Sequence, residues 1–294
     1  MNGVPLPLRL RVVAREGARG EAARHAAAIA AALRVAGCDA ELVGAAGPIG
    51  PSLQLFDPAI AQPEPGGRAM LWVVSHAGAA AAAPLDRYDH VFAGSARLAD
   101  ALSGRLGARV SVLPPATDPR RMRPRSDAIE AGLLFVGDER PGGRPALELA
   151  VRERFAPEIW GRGWDDRRDL AQLLRGEVVC EDELARRYAG AWAVLHDTAE
   201  DERRFGLLPG RALDALGCGA PLILDEVAET PEALLPWIHV WRRPEDFREM
   251  VEAALAEGEI RRAARRGFAL EVASRHSFAV RAETILSKAR EILG

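Results

Sequence analysis

An arginine and an aspartate three positions apart have the types and spacing that most clearly suggest binding chemistry. They are Arg211 and Asp214, and they follow Pro209-Gly210. Proline suits the first position of a helix because its missing N–H would be unpaired there, so the sequence predicts a short helix over residues 210–216 with both side chains on one face. A helix N-terminus carries partial positive charge and free N–H groups, including that of Gly210, so together with Arg211 it would suit a phosphate or diphosphate. A carboxylate one turn deeper could hold a ribose diol, and the alternative interpretation is a structural ion pair on a surface helix.

A second candidate anion site follows the apolar run at residues 132–136. The loop there carries Gly137, Arg140 and Arg144, and a helix is predicted from Pro145. Backbone N–H groups and guanidinium groups at a strand-to-helix turn can hold a diphosphate. The spacing fits neither the Walker nor the dinucleotide-binding fingerprint, so a plain surface turn is the alternative.

The elements that would position these loops alternate between short apolar runs and helical patterns, which is typical of parallel, doubly wound sheets. In the first half the predicted strands are Leu8–Val13, Asp39–Val43, Leu53–Phe56, Met70–Val74, Asp89–Ala93 and Val110–Leu113, and the predicted helices are Gly20–Ala36 and Ser95–Leu106. In the second half the apolar runs are Gly132–Val136, Ile159–Trp164, Val178-Val179, Ala193–Leu195, Pro221–Leu224 and Val240-Trp241, and helices are predicted from Pro145, over Asp182–Gly190, Pro244–Ala256 and Glu259–Ser274, and from Ser277. We interpret Ala77–Ala83 as an alanine-rich loop and the Pro- and Arg-rich stretch from Pro114 to Asp127 as containing an interdomain hinge.

Composition bounds the class of protein. With 294 residues, 48% apolar and 28% charged, the chain is expected to be a globular protein of about two domains. A net charge of −3 argues against a nucleic-acid binder that relies on phosphate neutralisation. The three cysteines are far apart, so neither a disulfide framework nor a zinc site is indicated. The sequence shows no signal-peptide pattern and no run of about 18 apolar residues, so we expect a cytoplasmic protein without a transmembrane segment.

Two segments carry a resemblance to a known family. Tyr188-Ala-Gly-Ala-Trp-Ala-Val-Leu-His-Asp197 and the later pattern Arg211-x-x-Asp-Ala-x-x-Cys-Gly-Ala-Pro221 resemble the donor half of group-1-type GT-B glycosyltransferases, and the nearest subset is the spore-maturation type. In that family an Arg-x-x-(Glu/Asp)-Ala helix lies against the nucleotide sugar. The resemblance therefore implies that Arg211 lies near the donor diphosphate and that Asp214 lies on the ribose.

The same resemblance assigns roles to the loops after two neighbouring strands. A basic residue just after the strand at residues 132–136 pairs with the donor phosphate in the family, and Arg144 matches that position better than Arg140. The segment from Gly161 to Trp164 resembles the loop that lines the base pocket. Its glycines would let backbone approach a planar base, and Trp164 either covers that base or is a core residue.

Three further positions follow from the resemblance. His196-Asp197 takes the place of an Asn-Asp pair, with Asp197 expected to orient Arg211 or the sugar and His196 a departure from the pattern. His76, just past a strand end, matches a histidine that faces the acceptor and the donor sugar, so the implied catalytic residues are His76, Arg211 and Asp197. Ser95 is expected to be a helix N-cap, and residues 113–118 resemble a turn that touches the acceptor.

The chain also departs from the family pattern. Many group-1 enzymes carry two glutamates eight residues apart, and here Asp214 takes the second place while Gly206 falls at the first. Asp201 or Glu202 are the carboxylates that could substitute for the missing sugar contact. The subset commonly has Ser-Asn before the helix arginine, whereas this chain has Pro209-Gly210, which leaves only backbone donors.

The resemblance implies an α/β fold of GT-B type, with two doubly wound domains that face each other across a cleft. We expect an acceptor-side domain at residues 1–118, a hinge at 119–131, a donor domain at 132–276, and a terminal helix at 277–294 that crosses back to the first domain. The terminal helix has an apolar stripe at helical spacing, with Arg281 and Lys288 on its polar side. The stripe consists of Phe278, Ala282, Ile285 and Leu286.

The implied function is transfer of a sugar from a nucleotide diphosphate sugar to an acceptor hydroxyl on a glycan, a lipid-linked molecule or a small molecule. Retention of configuration and independence from metal are expected, and no cofactor is implied beyond the nucleotide sugar as co-substrate. The partners are the donor and the acceptor, without nucleic acid, and a lipid-linked acceptor would bring the protein to a membrane surface. Two alternatives stay open, a GT-B-fold sugar-nucleotide epimerase and a non-catalytic nucleotide-sugar-binding subunit.

Overall fold

The computed structural model describes residues 8–15, 21–44, 50–60, 62–63, 68–177 and 179–293. The chain forms two compact units, each built from discontinuous segments. The first unit contains residues 1–116, 200–210 and 276–294, and the second contains residues 117–199 and 211–275. The α/β class expected from the sequence is confirmed, because each unit holds a six-stranded parallel sheet with helices.

Among the described residues, helices and strands are interspersed along both halves of the chain. In order they are β1 Arg9–Val13, α1 Glu21–Val35, β2 Asp39–Val43, β3 Ser52–Leu55, β4 Ala69–Val73, α2 Ala77–Ala82, β5 His90–Ala93, α3 Ala96–Leu106, β6 Val110–Val112, β7 Ala131–Val136, α4 Pro145–Arg152, β8 Glu158–Trp160, β9 Leu174–Gly176, α5 Glu181–Gly190, β10 Ala191–Leu195, α6 Glu200–Arg204, α7 Gly210–Gly217, β11 Leu222–Asp225, β12 Ile238–Trp241, α8 Phe247–Leu255, α9 Glu259–Arg275 and α10 Phe278–Leu293. Short 3-10 helices lie at Gly107–Arg109, Ala171–Leu173 and Leu235–Trp237. None of the described helices is long and apolar enough to cross a membrane.

The sheet of the first unit has the order β2-β1-β3-β4-β5-β6. Its central strand β4, with the sequence Ala-Met-Leu-Trp-Val, is buried along its whole length, as expected for a strand covered on both faces. Trp72 in this strand is completely buried, and its Nε1 donates to the carbonyl of Leu113 at 2.8 Å. The buried indole N–H is therefore satisfied, which removes the cost of leaving it unpaired.

Helix α10 completes the core of the first unit. Its apolar stripe packs into the same cluster as Trp72 and the buried face of α1. The predicted position of Arg281 on the polar side is wrong, because the side chain is 6% exposed and donates to the carbonyls of Pro114 at 2.8 Å and Pro115 at 3.2 Å. Burial lowers the pKa of Arg281 to about 10, and the two carbonyls give its charge acceptors in place of water.

The second sheet has the order β12-β11-β10-β7-β8-β9. Its core gathers apolar residues from strands β7, β8, β10 and β11 and from helices α4 and α8. Outside that core, a buried network ties α9 to β12 through Glu257, which accepts hydrogen bonds from Arg265 and lies 2.8 Å from His239 Nε2. Desolvation opposes its ionisation, but the hydrogen bonds from Arg265 and His239 win, so the pKa of Glu257 falls to about 2.

Several local expectations differ from the structure. Residues 77–82 form a helix and not a loop, because alanine is the strongest helix former once the helix ends are satisfied. The third strand along the second half is β9 and not Val178-Val179, and Val178 lies outside the described residues. Helix α6 was not predicted, since its five residues carry only charges.

The unit boundaries also differ from the predicted domains. The first boundary falls after Ala116, and the predicted hinge at 119–131 belongs to the second unit. Ion pairs of Arg125 with Asp127 at 2.8 Å and Asp182 at 3.0 Å hold this segment to α5. Residues 200–210, expected in the second domain, belong to the first unit.

Candidate active site

The topology of the second sheet marks one position for ligand binding. From β7 the chain adds β8 and β9 on one side, and it then returns to the other side of β7 to add β10. The connections that leave β7 and β10 therefore run in opposite directions. In doubly wound sheets ligands bind beyond the carboxyl ends of the strands at this kind of switch point.

Two arginines and one aspartate meet at the switch point. Arg144 Nη1 lies 2.9 Å from Asp197 Oδ1, and Arg140 Nη2 lies 3.0 Å from the same oxygen. The side chain of Asp197 is only 1% exposed, whereas that of Arg140 is 22% exposed. Two guanidinium groups therefore share one buried carboxylate.

Local hydrogen bonds fix the geometry of this cluster. Asp197 Oδ2 accepts from the N–H of Ala146 at 3.2 Å, in the first turn of α4. Arg144 Nε donates to the carbonyl of Asp138 at 2.9 Å, which aligns its guanidinium along the loop. Thr198 binds Asp225, at the end of β11, through both its N–H at 3.0 Å and its hydroxyl at 2.8 Å. The loop after β10 is therefore attached to the end of β11 and to the first turn of α4.

Close packing of two loops explains why glycine occupies positions 137 and 161, whereas the sequence suggested that these glycines approach a ligand. A Cβ on Gly161, whose φ is +154°, would lie 2.0 Å from the carbonyl oxygen of Gly137. A Cβ on Gly137 would lie 3.0 Å from Arg144 Nη2. The two strand-end loops pass so close to each other that no side chain fits between them.

The positions of Trp164 and His196 differ from those expected for residues that contact the donor. Trp164 is 3% exposed and packs edge-on against Phe135 in the core, at a ring separation of 6.3 Å. In this conformation its indole does not cover a base, so a base contact at this loop would come from backbone. His196 is half-buried, and its N–H donates to the carbonyl of Ile223 at 3.0 Å.

Arg211 and Asp214 lie together at the start of α7, as their spacing predicts. Arg211 Nη1 lies 3.4 Å from Asp214 Oδ2, and Arg211 Nη2 lies 3.3 Å from Glu181 Oε1. Asp214 is completely buried, and its Oδ1 accepts from the hydroxyl of Thr117 at 2.6 Å. Both oxygens of Asp214 therefore have protein partners, and Glu181 is the carboxylate of this group that is partly exposed.

The N–H of Gly210 was expected to be available to a phosphate, but in the structure it already has a hydrogen-bond acceptor. In the first unit this N–H donates to Glu21 Oε1 at 2.6 Å. A Cβ at Gly210 would lie 2.6 Å from that oxygen and 2.8 Å from the ring of His25. Glycine is required here by the close approach of Glu21 and His25.

His76 lies in the first unit, directly before α2. Its backbone is left-handed, with φ 56° and ψ 44°, and its ring is exposed. Its Nδ1 lies 3.0 Å from the hydroxyl of the buried Ser75, and its N–H donates to Glu202 Oε1 at 3.2 Å. A non-glycine residue held in this conformation is uncommon and is found more often at functional sites.

Two residues of these groups were missed by sequence reasoning. Thr117 and Glu181 lie 97 and 30 positions from their partners, Asp214 and Arg211. No local pattern joins residues so far apart, and only the strand order brings them together. By contrast, the capping role predicted for Ser95 is confirmed, because its side chain accepts from the N–H of Leu98.

Comparison with solved structures places this fold among glycosyltransferases. Sucrose-phosphate synthase from Thermosynechococcus elongatus superposes with a TM-score of 0.71 over 97% of this chain and 99% of that chain, at 13% identity. AviGT4, a glycosyltransferase involved in avilamycin A biosynthesis, gives a TM-score of 0.67 at 16% identity over 98% of both chains. An alpha-glucosyltransferase in complex with UDP and a 13-mer DNA gives 0.67 at 10% identity over 98% of this chain and 100% of that chain. At these identities the likeness shows the fold.

The sequence comparisons are consistent with this fold. No curated protein sequence matches the chain. The family model described as glycosyl transferase-like matches residues 140–287, which is half of the chain and contains the loop after β10 and helix α7. The chain therefore belongs to the glycosyl transferase-like family and is a glycosyltransferase of the group-1 type with a GT-B fold.

Proposed function

We propose that this glycosyltransferase transfers a sugar from a nucleotide diphosphate sugar to a hydroxyl group of its acceptor. The observation that carries the proposal is the pair of arginines, Arg140 and Arg144, held by the buried Asp197 at the switch point of the second sheet. A diphosphate at this position would meet two guanidinium groups whose geometry is already fixed. Charge-assisted hydrogen bonds from arginine to phosphate are among the stronger ones in proteins.

Arg211, in the first turn of α7, would complete the donor site. Helix α7 connects the carboxyl end of β10 with the start of β11, so Arg211 in its first turn belongs to the same edge of the sheet. In this proposal Arg211 exchanges its partner Glu181 for the diphosphate, while Asp214 and Thr117 hold it in place. A ribose contact would then come from Asp214 after rearrangement, or from Glu181.

The chemistry proposed is departure of the nucleoside diphosphate with arginines neutralising the developing charge. Electrostatic stabilisation of this kind is usually the largest catalytic contribution, and loss of one such group costs on the order of 3 kcal/mol, or about 100-fold in rate. The arginines supply the positive charge, so the proposed reaction needs no metal ion. We propose retention of configuration, with the donor phosphate assisting the incoming hydroxyl, and an acceptor site on the first unit that includes His76.

The donor and acceptor classes follow from chemistry. UDP is the first probe to use, since two structural neighbours were solved in complex with UDP. The net charge of −3 favours a glycan, lipid-linked or small-molecule acceptor over a nucleic acid.

The test is a thermal-shift and calorimetric screen of UDP, GDP and ADP and of their sugars. A ligand at about 100 times its Kd should stabilise the folded state by roughly 2.7 kcal/mol. Arg144→Ala should weaken diphosphate binding by about 100-fold, the scale of one lost arginine. The matched control is Arg152→Ala at the other end of α4, which carries an exposed arginine paired with Glu153 and should bind like the parent.

Four outcomes would contradict parts of the proposal. If no nucleoside diphosphate or its sugar binds, the donor site is wrong. If Arg144→Ala binds as tightly as the parent, the switch-point arginines are not the diphosphate site. Loss of transfer activity in EDTA would contradict metal independence, and inversion at the anomeric carbon, read by NMR of the first product formed, would contradict retention.

A further inference from the structure

The first turn of α2 receives its N-terminal hydrogen-bond acceptors from a distant segment of the chain. The side chain of His76, at the N-cap position, makes no capping hydrogen bond. Instead the N–H of His76 donates to Glu202 Oε1 at 3.2 Å, and the N–H of Gly78 donates to Asp201 Oδ2 at 2.9 Å. Both carboxylates belong to α6, more than 120 residues along the chain.

The segment that carries these carboxylates is firmly attached to the first unit. Leu207 is 1% exposed and lies in the core with Val73 and Leu98. The hydroxyl of Ser95 donates to the carbonyl of Phe205 at 2.5 Å. A Cβ at Gly94 would lie 2.2 Å from Leu207, so glycine is required for this contact. These contacts set the position of α6 on the strand ends of the first unit.

The contacts of α6 bear directly on the conformation of His76. Negative charge at a helix N-terminus stabilises the first turn, and here it holds the residue that has left-handed backbone dihedrals. Gly78 also matters, because a Cβ there would lie 3.0 Å from Asp201 Cβ. The Nδ1 atom of His76 lies next to the hydroxyl of Ser75, and the ring is exposed.

We infer that Asp201 and Glu202 are positioning residues that hold His76 in its left-handed conformation for the transfer reaction. This inference rests on the proposed function, in which His76 contacts the reacting sugar or the acceptor. It gives the two carboxylates a role other than the sugar contact expected from the family pattern. They would act through His76 without touching the donor.

The test compares Glu202→Ala, Glu202→Gln and Asp201→Asn with the parent, using the nucleotide sugar that gives the largest shift in the screen above. Glu202→Ala should lower kcat about tenfold, equivalent to about 1.4 kcal/mol of barrier, with the KM for the donor unchanged. Glu202→Gln keeps an acceptor oxygen and should restore most of the rate. Glu200→Ala, an exposed position on the same helix, is the matched control and should behave as the parent.

Two further readouts separate positioning from general stability. In a His76→Ala background, Glu202→Ala should cause no further loss of kcat, because the residue through which it acts is already absent. Hydrogen exchange at the His76 amide should become about tenfold faster in Glu202→Ala and stay near the parental rate in Glu202→Gln, since exchange reports opening of that hydrogen bond.

The outcomes distinguish failure of the proposed function from failure of this inference. A parent that turns over no nucleotide sugar overturns the proposed function, and this inference falls with it. A parent that transfers sugar, with a Glu202→Ala variant of equal kcat, overturns this inference alone. Equal loss of kcat from Glu202→Ala in the parent and in the His76→Ala background also overturns it, because the carboxylate would then act independently of His76.

Discussion

At the scale of single residues, the burial of acidic side chains separates the candidate site into two kinds of group. Asp197 and Asp214 are almost fully buried, and each has an arginine and a further hydrogen-bond donor as partners. A buried carboxylate without partners would be very costly, so these contacts offset the cost of burying both side chains. The side chain of Glu181 is 33% exposed and stays in contact with water. The buried carboxylates are therefore expected to position arginines, while the exposed one is free to exchange partners.

The Thr117–Asp214 pair gives a prediction at this scale. Thr117→Val removes the hydroxyl donor and should destabilise the protein by about 1 to 3 kcal/mol, because a hydrogen bond to a charged, buried acceptor is lost. Asp214→Asn removes the charge that faces Arg211 and should cost a similar amount. The double variant should cost about 1 kcal/mol less than the sum, since the two side chains contact each other.

The measurement is urea unfolding of the four proteins in a double-mutant cycle. Asp246→Asn, in a surface ion pair with Arg243, is the control and should leave the free energy of unfolding close to that of the parent. Strictly additive effects of the two substitutions would show that the contact at 2.6 Å contributes nothing.

At the scale of elements, a buried histidine joins two neighbouring strands of the first sheet. His90 in β5 is 3% exposed, and its Nε2 lies 2.7 Å from the hydroxyl of Ser111 in β6. Burial and, to a lesser extent, the nearby Lys288 lower the pKa of His90 to about 4, although Glu291 acts in the opposite direction. The folded protein thus holds the neutral ring, and protonation favours the unfolded chain.

This arrangement predicts how stability depends on pH. An unfolded histidine has a pKa near 6.5, so the contribution of His90 is complete above about pH 6.5 and is lost as the pH falls from there toward 4. The loss should reach about 2 to 3 kcal/mol at pH 4, because each pKa unit corresponds to 1.36 kcal/mol. His90→Gln keeps a neutral polar side chain and should flatten this part of the profile.

The check is the free energy of unfolding measured by urea at several pH values between 4 and 8. Parent and His90→Gln should differ in slope below pH 6.5 and have parallel profiles above it. Equal slopes in both proteins over the whole range would refute the assignment to His90.

The elements also show which parts of the fold could be predicted from sequence. The apolar runs of β2, β7 and β10 and the capping serine before α3 carry their information locally, and the structure has elements at those positions. Helix α2 could not be recognised, because its first turn is satisfied by Asp201 and Glu202 and not by a local cap. Thr117 could not be identified as a partner of Asp214 for the same reason, since the two residues are distant in sequence.

At the scale of the whole molecule, the first unit depends on the last segment of the chain. Its core cluster includes Phe278, Ile285 and Leu286 from α10. Full burial of each such side chain contributes about 1.5 to 3 kcal/mol. Together they match a large part of the roughly 5 to 15 kcal/mol that stabilises a typical domain.

Deletion of residues 277–294 should therefore unfold the first unit while the second stays folded. Hydrogen exchange measured by mass spectrometry should show loss of protection in β1, β3 and β4, with protection kept in β7 and β10. Nucleotide binding should survive in the second unit and transfer should be lost. Uniform protection in the truncated protein would show that α10 is dispensable for the first unit.

The first unit is built from segments that are distant in sequence, and this affects the order in which the two units fold during synthesis. A ribosome makes the sheet of the first unit early, but α10 follows only after the whole of residues 117–275, a stretch of about 160 residues. At roughly 5 to 20 residues per second this leaves an interval of about 10 to 30 s, during which the apolar face awaiting α10 has no cover. The second unit contains no part of the terminal segment and can close first. In a nascent chain the second unit is thus expected to fold before the first, although the first is synthesised earlier. The sheet of the first unit is the part that would need a chaperone.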